Sequence, residues 1–152
     1  MKFHRQLIQH TPDSGLTGDC HRTAIACILD LEPESVPHFF KDGLRPEVDW
    51  RADVEAYLNS IGYTQADVMF GAPLPELFQY MQDRNPSTLY LMGGVSLRDT
   101  PHTVVCLGGT FFHDPHPGDV FLSRPFDHGY WEITFILPLS MKVGQFVGGE
   151  HA

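Results

Sequence analysis

The sequence lacks long hydrophobic runs, carries few positive charges and contains few cysteines. No apolar stretch approaches the roughly 18–20 residues needed to span a membrane, and residues 1–6 show no apolar signal-peptide core behind their positive charges. We therefore expect a cytosolic protein that does not insert into membranes. Ten Lys and Arg residues stand against nineteen Asp and Glu, a formal net charge of −9. This balance argues against a nucleic-acid partner, because phosphate binding needs a basic surface.

The three cysteines, Cys20, Cys27 and Cys106, are odd in number and do not predict a disulfide framework. The spacing of the Cys and His residues also matches no closed zinc signature, so we expect a protein that folds without metal. An alternative stays open, in which His102, His113 and His116 ligate zinc together with Cys20, His21 or Asp114. Nothing in the sequence implies a cofactor.

The composition of this 152-residue chain is that of a globular protein, with 42% hydrophobic and 19% charged residues. Its length predicts a single domain, 1–152. Apolar spacing predicts helices over 20–31, 50–61 and 74–81, with Asp19 as the N-cap of the first and Gly62 just after the second. Strands are predicted over 88–92, 102–107, 110–113, 120–122 and 130–137. Helices followed by strands predict an α+β fold in which N-terminal helices pack on a C-terminal antiparallel sheet.

Cys20 is the candidate nucleophile. It follows Gly18-Asp19 and opens the first predicted helix, where the positive end of the helix dipole favours the thiolate form. A free cysteine is more often a buried core residue, and Cys27 and Cys106 fit that description because they lie inside a helix and a strand. A thiol at a helix start, preceded by a small glycine, has room for a substrate.

His102 and Asp114 are the candidate partners of Cys20. His102 begins a strand just after Pro101, where an imidazole can face a helix N-terminus and act as a base. Asp114 could orient that imidazole, with a turn-forming role before Pro115 as the alternative. The length of the β-hairpin loop decides whether Asp114 lies on the same face of the sheet as His102. A two-residue Gly108-Gly109 loop places Asp114 on the sheet face opposite His102 and brings His113 toward it, whereas a three-residue loop places Asp114 on the face of His102.

Four segments, 18–26, 36–39, 101–105 and 113–117, resemble a group of small bacteriophage and prophage proteins. The Cys–His–Asp core within them resembles the papain-like cysteine peptidases, in particular the NlpC-type amidases and the bacteriocin leader peptidases. The resemblance implies a papain-like fold with Cys20 as nucleophile, His102 as base and Asp114 as orienting group. It also implies a glutamine ahead of the nucleophile as an oxyanion donor. Gln6 is the preferred candidate and Gln9 the alternative.

We therefore expect a thiol hydrolase, a cysteine peptidase or amidase, that cleaves an amide or isopeptide bond in a peptide or small amide substrate. The cleft should lie between Cys20 and His102, walled by Phe39, Phe40, Trp50 and Trp131. One alternative is a phage protein that uses the fold to bind or inhibit a host protein in the bacterial cytoplasm with little turnover. A second alternative is a zinc-dependent hydrolase.

Overall fold

The computed structural model describes residues 1–142; residues 143–152 of the predicted domain lie outside the described part. Three α-helices combine with one six-stranded sheet, which confirms the predicted α+β class. The helices are α1 (Cys20–Leu29), α2 (Trp50–Ser60) and α3 (Leu74–Arg84). The strands are β1 (Tyr63–Phe70), β2 (Leu89–Ser96), β3 (Pro101–Leu107), β4 (Thr110–His113), β5 (Leu122–Arg124) and β6 (Trp131–Pro138). None of the helices within residues 1–142 has the length and apolar character needed to cross a membrane.

The helix boundaries follow local signals. α1 ends two residues before the predicted Leu31, because Asp30 turns into the left-handed conformation with a φ of 57°. α2 begins at Trp50, where the Asp49 side chain accepts a hydrogen bond from the Ala52 amide. Gly62 follows that helix with a φ of +92°, as predicted from its position.

All strand pairs are antiparallel, in the order β1-β6-β2-β3-β4, with β5 pairing the end of β2. The predicted strand 110–113 matches β4, and the other predicted strands overlap their counterparts with shifted ends. The sequence prediction missed β1, which lies at the sheet edge and pairs with β6 along its whole length.

The helices pack on both faces of the sheet. Leu91 and Val105 point toward α1 and α2 and join one buried cluster. Their neighbours Met92 and Val104 point the other way and join a second cluster with α3. This alternation follows from the two-residue period of a strand and gives β2 and β3 a continuous run of buried residues. The start of β3 lies beside the start of α1, where Thr103 Oγ1 is 3.2 Å from His21 Nδ1.

Candidate active site

Cys20 is the first residue of α1, where its backbone N–H has no preceding helical carbonyl to bind. Asp19 occupies the N-cap position, as predicted, but its side chain makes no capping hydrogen bond. The buried Asp19 carboxylate accepts instead from the Ile8 amide at 2.9 Å and from Arg22 Nε at 2.9 Å and Nη2 at 2.8 Å. A paired carboxylate beside the thiol therefore fixes the loop that delivers Cys20.

His102 stands at the beginning of β3 and is almost completely buried. Its Nε2 lies 2.6 Å from Asp114 Oδ1, which leaves Nδ1 free for another partner, and Cys20 lines the same cleft. Burial alone would lower the pKa of His102. Asp114 and Cys20 favour the protonated ring, outweigh this penalty and raise the pKa of His102 to about 9. The imidazole is therefore protonated at neutral pH.

The β3–β4 hairpin places Asp114 on the face of His102 in a way that neither loop alternative anticipates. Gly108-Gly109 forms the tight two-residue loop, with Leu107 opposite Thr110. The register then shifts, so that Cys106 faces Phe111 but Val105 faces His113, and Phe112 is the extra bulge residue. One extra residue moves every later side chain of the strand to the opposite face of the sheet.

His113 points to the opposite face as a result of the bulge. Its Nε2 donates to the His4 carbonyl at 2.6 Å, on the side of the sheet where α1 packs. The expectation that a tight loop brings His113 toward His102 is therefore wrong, and the reason is the bulge at Phe112. The structure brings Cys20, His102 and Asp114 together and leaves His113 outside this group.

Asp114 is fully buried and accepts three hydrogen bonds through its carboxylate. Besides the bond with His102, Oδ1 accepts from the His116 amide at 2.7 Å and Oδ2 from the Phe121 amide at 2.6 Å. Burial by itself would raise the pKa of Asp114. The hydrogen bond and charge of His102, helped by the two amides, reverse this and hold the pKa below its usual range. The carboxylate is therefore charged, fixed in orientation and matched to the imidazolium.

The N-terminal segment, residues 2–8, ties the two halves of the site together. The Lys2 amide donates to the Cys27 carbonyl of α1, and the Gln6 amide donates to the Pro115 carbonyl at 2.8 Å. Arg5 Nη1 donates to the Asp114 carbonyl at 2.7 Å, to the His116 carbonyl at 2.8 Å and to Asp119 Oδ1 at 2.5 Å. Arg5 is thus a positioning residue for the loop that carries Asp114. Its partners lie too far along the chain for any local sequence signal to reveal them.

Of the two candidate oxyanion donors, Gln6 lies in the cleft with Cys20 and His102, whereas Gln9 is exposed and does not line the cleft. Gln6 Nε2 donates one hydrogen to the Ile8 carbonyl at 2.6 Å and keeps a second for another acceptor. Gly18 permits this packing: a Cβ there would lie 2.9 Å from the His10 amide nitrogen and 3.1 Å from Gln6 Nε2. The side-chain NH₂ of Gln6 and the backbone N–H of Cys20 are therefore candidate oxyanion donors within this cleft.

The cleft has a volume of about 520 Å³ and runs from Cys20 across one face of the sheet. Its floor is formed by polar and small residues that share that face, namely Gln65, Asp67, Gly93, Thr103, Glu132 and Thr134. Phe40 and Trp50 form the aromatic wall, as predicted. Phe39 packs behind them in the core. Trp131 is a wrong prediction, because its ring is buried in the α3 cluster and its Nε1 donates to the Ala72 carbonyl.

His21 is a cleft residue whose environment sequence reasoning missed. Its Nδ1 lies 3.2 Å from Thr103 Oγ1, and the rings of Phe39, Phe40 and Trp50 surround it edge-on. Burial, together with the charge of Arg51, lowers the pKa of His21 to about 4. This imidazole is neutral at physiological pH. The only available signal was its place directly after Cys20.

The alternative zinc set does not converge. His116 lies near His102, with ring centroids 6.3 Å apart, but His113 faces the other side of the sheet. Within residues 1–142, no three His, Cys, Asp or Glu side chains are grouped closely enough to hold a metal ion.

No protein-family model, curated protein or solved structure matches the chain. Functional inference for this protein therefore rests on the geometry and chemistry of its own residues.

Proposed function

We propose that this protein is a papain-like thiol hydrolase that cleaves an amide or isopeptide bond with Cys20, His102 and Asp114. The observation that supports this most is the buried 2.6 Å contact between His102 Nε2 and Asp114 Oδ1, at a ring that lines the same cleft as Cys20. A thiol at a helix start, a histidine at a strand start and a carboxylate behind it form a nucleophile, a base and an orienting group.

The proposed reaction begins with the Cys20 proton on His102, in keeping with the raised pKa of that imidazole. The thiolate adds to the carbonyl carbon, and His102 passes its proton to the amide nitrogen as the C–N bond breaks. The amine leaves, and a thioester remains on Cys20. His102, now neutral, takes a proton from water, whose oxygen attacks the thioester and releases the acid. The proton then restores the imidazolium–thiolate pair.

Two supporting roles follow from the surroundings of this group. Asp114 holds one orientation of the imidazole and stabilises its positive charge, because its carboxylate is itself fixed by two backbone amides. The Cys20 N–H and the second hydrogen of Gln6 Nε2 stabilise the oxyanion of the tetrahedral intermediate. Gln9 has no part in this proposal, because it is exposed and does not line the cleft.

The test is cleavage of a mixed peptide library, read out by mass spectrometry, with Cys20→Ala as the matched control. We expect new termini in the wild-type digest that are absent from the control, and a thioester adduct on Cys20 when the digest is quenched early. If both proteins leave the library intact while retaining bound peptides from it, the binding-protein alternative is favoured. Equal cleavage by both proteins would contradict the assignment of Cys20.

A further inference from the structure

The cleft contains an arginine that no carboxylate of the described residues neutralises. Four arginines in residues 1–142 pair with acidic side chains, namely Arg5 with Asp119, Arg22 with Asp19, Arg51 with Glu132 and Arg124 with Asp99. Arg98, which lines the cleft, has two uncharged partners instead. Its Nη2 donates to the His10 carbonyl at 3.1 Å, and its Nη1 lies 3.1 Å from His116 Nε2. Its remaining N–H groups are available to a ligand.

Arg98 lies at the catalytic end of the cleft. It belongs to the turn between β2 and β3, and β3 opens with the Pro101-His102 pair. One of its partners, His10, packs against Gly18, two residues before Cys20. Its other partner, His116, has its ring 6.3 Å from that of His102. The guanidinium therefore spans the gap between the loop that carries Cys20 and the loop that carries Asp114.

The other charged groups of the cleft lie elsewhere or cancel. Arg51 Nη2 contacts both carboxylate oxygens of Glu132 at 3.1 Å, so this pair adds little net charge. Asp67 lies on β1 and accepts a hydrogen bond from the Thr134 hydroxyl of β6. β1 is three strands away from β3, a lateral distance of roughly 14 Å. Burial and the charge of Arg98 lower the pKa of His116, so that ring stays neutral. At the catalytic end, Asp114 pairs with His102 and Asp19 pairs with Arg22. Within residues 1–142, Arg98 is therefore a cleft-lining arginine without a carboxylate partner.

We infer that Arg98 binds a carboxylate of the substrate, so that the preferred amide carries a negative charge within a residue or two of the bond that is cleaved. The inference rests on the proposed function and names its substrate class. A planar guanidinium with free N–H groups matches a carboxylate in geometry and charge. The carboxylate has two chemical sources, the α-carboxylate at the end of a peptide and an acidic side chain.

The experiment uses thiol reagents that differ only in this charge. Chloroacetyl-glycine is compared with chloroacetyl-glycinamide, and chloroacetyl-glutamic acid α-amide with the corresponding glutamine compound, at low salt. We expect the wild-type Cys20 to react about fivefold faster with the charged member of one pair, and the preferred pair identifies the carboxylate source. Arg98→Gln should bring this rate ratio close to one, whereas Arg98→Lys should keep part of it.

Arg84→Gln is the matched control, because it removes an exposed arginine at the end of α3, on the other face of the sheet. It should keep the wild-type ratio, and added salt should reduce the ratio in both proteins. An unchanged ratio in Arg98→Gln would overturn the inference.

A second measurement separates this failure from failure of the proposed function. In Cys20→Ala, N-acetylglycine and N-acetyl-glutamic acid α-amide are titrated and the amide NMR signals of residues 97–100 are followed. The neutral analogues N-acetylglycinamide and N-acetyl-glutamine α-amide serve as references. Saturable shifts with a charged compound that vanish in Arg98→Gln support the site even if Cys20 has no hydrolytic role. Shifts that are equal with and without Arg98 contradict it.

Discussion

Two buried histidines lie next to Cys20, and the structure gives one of them a positive charge and leaves the other neutral. His102 is 7% exposed and has a pKa raised to about 9, whereas His21 is 8% exposed and has a pKa lowered to about 4. Burial penalises the charged form of both rings. At His102, Asp114 and Cys20 stabilise the protonated ring and raise its pKa despite burial. At His21, the aromatic surroundings offer no such stabilisation, and the charge of Arg51 lowers the pKa further. The comparison shows that burial makes a protonated imidazole costly and that its neighbours decide whether the proton stays.

The difference assigns the two rings to different tasks. A protonated His102 can hold the Cys20 thiolate and return a proton to a leaving group. A neutral His21 contributes shape and one hydrogen bond with Thr103. Substitutions at His102, Asp114 and His21 should therefore have different effects on the reactivity of Cys20 and on the stability of the protein in acid.

The largest effect is expected when the charged ring is removed. His102→Ala should slow alkylation of Cys20 by limiting iodoacetamide at neutral pH by about 100-fold, a typical loss for a positioned acid–base group. His21→Phe, which keeps an aromatic ring of similar shape, should change this rate far less. Peptide mapping of the adduct gives the rate at each thiol, and the buried Cys27 and Cys106 should stay unmodified in the folded protein. Preferential labelling of Cys27 or Cys106, or equal losses in both histidine variants, would contradict the division of roles.

A smaller effect is expected when the partner of the charged ring loses its charge. Asp114→Asn turns an NH₂ group toward a site where the carboxylate accepts from two backbone amides. The free energy of unfolding should fall by about 1–3 kcal/mol. Cys20 alkylation should slow about tenfold, because His102 no longer keeps its proton at neutral pH.

His113→Gln is the control for that variant. A glutamine can still donate to the His4 carbonyl, and the position faces the other side of the sheet. Thermal melts and iodoacetamide kinetics on both proteins supply the two measurements. If His113→Gln slowed alkylation more than Asp114→Asn, the bulge at Phe112 would be misplaced and the tight loop alone would set the register.

The smallest effect is expected for His21, whose neutral ring should make the stability of the folded protein depend on acid pH. The folded-state pKa of His21, about 4, lies below the ordinary value of 6.5, so the unfolded chain binds the extra proton between these values. Its contribution to stability is complete above pH 6.5 and is lost as the pH falls toward 4. At pH 5 the loss should be about 1–2 kcal/mol. Urea unfolding at pH 7 and pH 5 should show this difference in the wild type and a smaller one in His21→Phe. Identical pH dependence in the two proteins would show that His21 is not the group responsible.

Much of the fold was predictable because its signals are local. Gly62 after α2, the Gly108-Gly109 pair before β4 and the apolar run of β3 each act within a few residues. β1 escaped prediction because Gln65 and Asp67 line the cleft while Val68 and Met69 are exposed, so the strand shows no clear alternation of buried and exposed residues.

The sequence identified candidate residues for the site, but it did not predict their spatial arrangement. Cys20 and His102 stand at element starts, which sequence patterns reveal. The bulge at Phe112 has no glycine or proline to mark it, and a change of one residue in register decides whether Asp114 or His113 faces His102. The partners of Arg98 and Arg5 lie far from them along the chain, so local sequence spacing could not predict these contacts.

The contacts of the N-terminal segment also set the order in which the site can be assembled. Arg5 holds the Asp114 carbonyl from 109 positions away along the chain. Closing so long a loop is slow compared with forming α1, which carries Cys20. During synthesis the thiol therefore emerges early, without its histidine and carboxylate, and stays an ordinary helix cysteine until β4 and the following loop dock on residues 2–8. A chain interrupted before that point carries the nucleophile without the means to activate it.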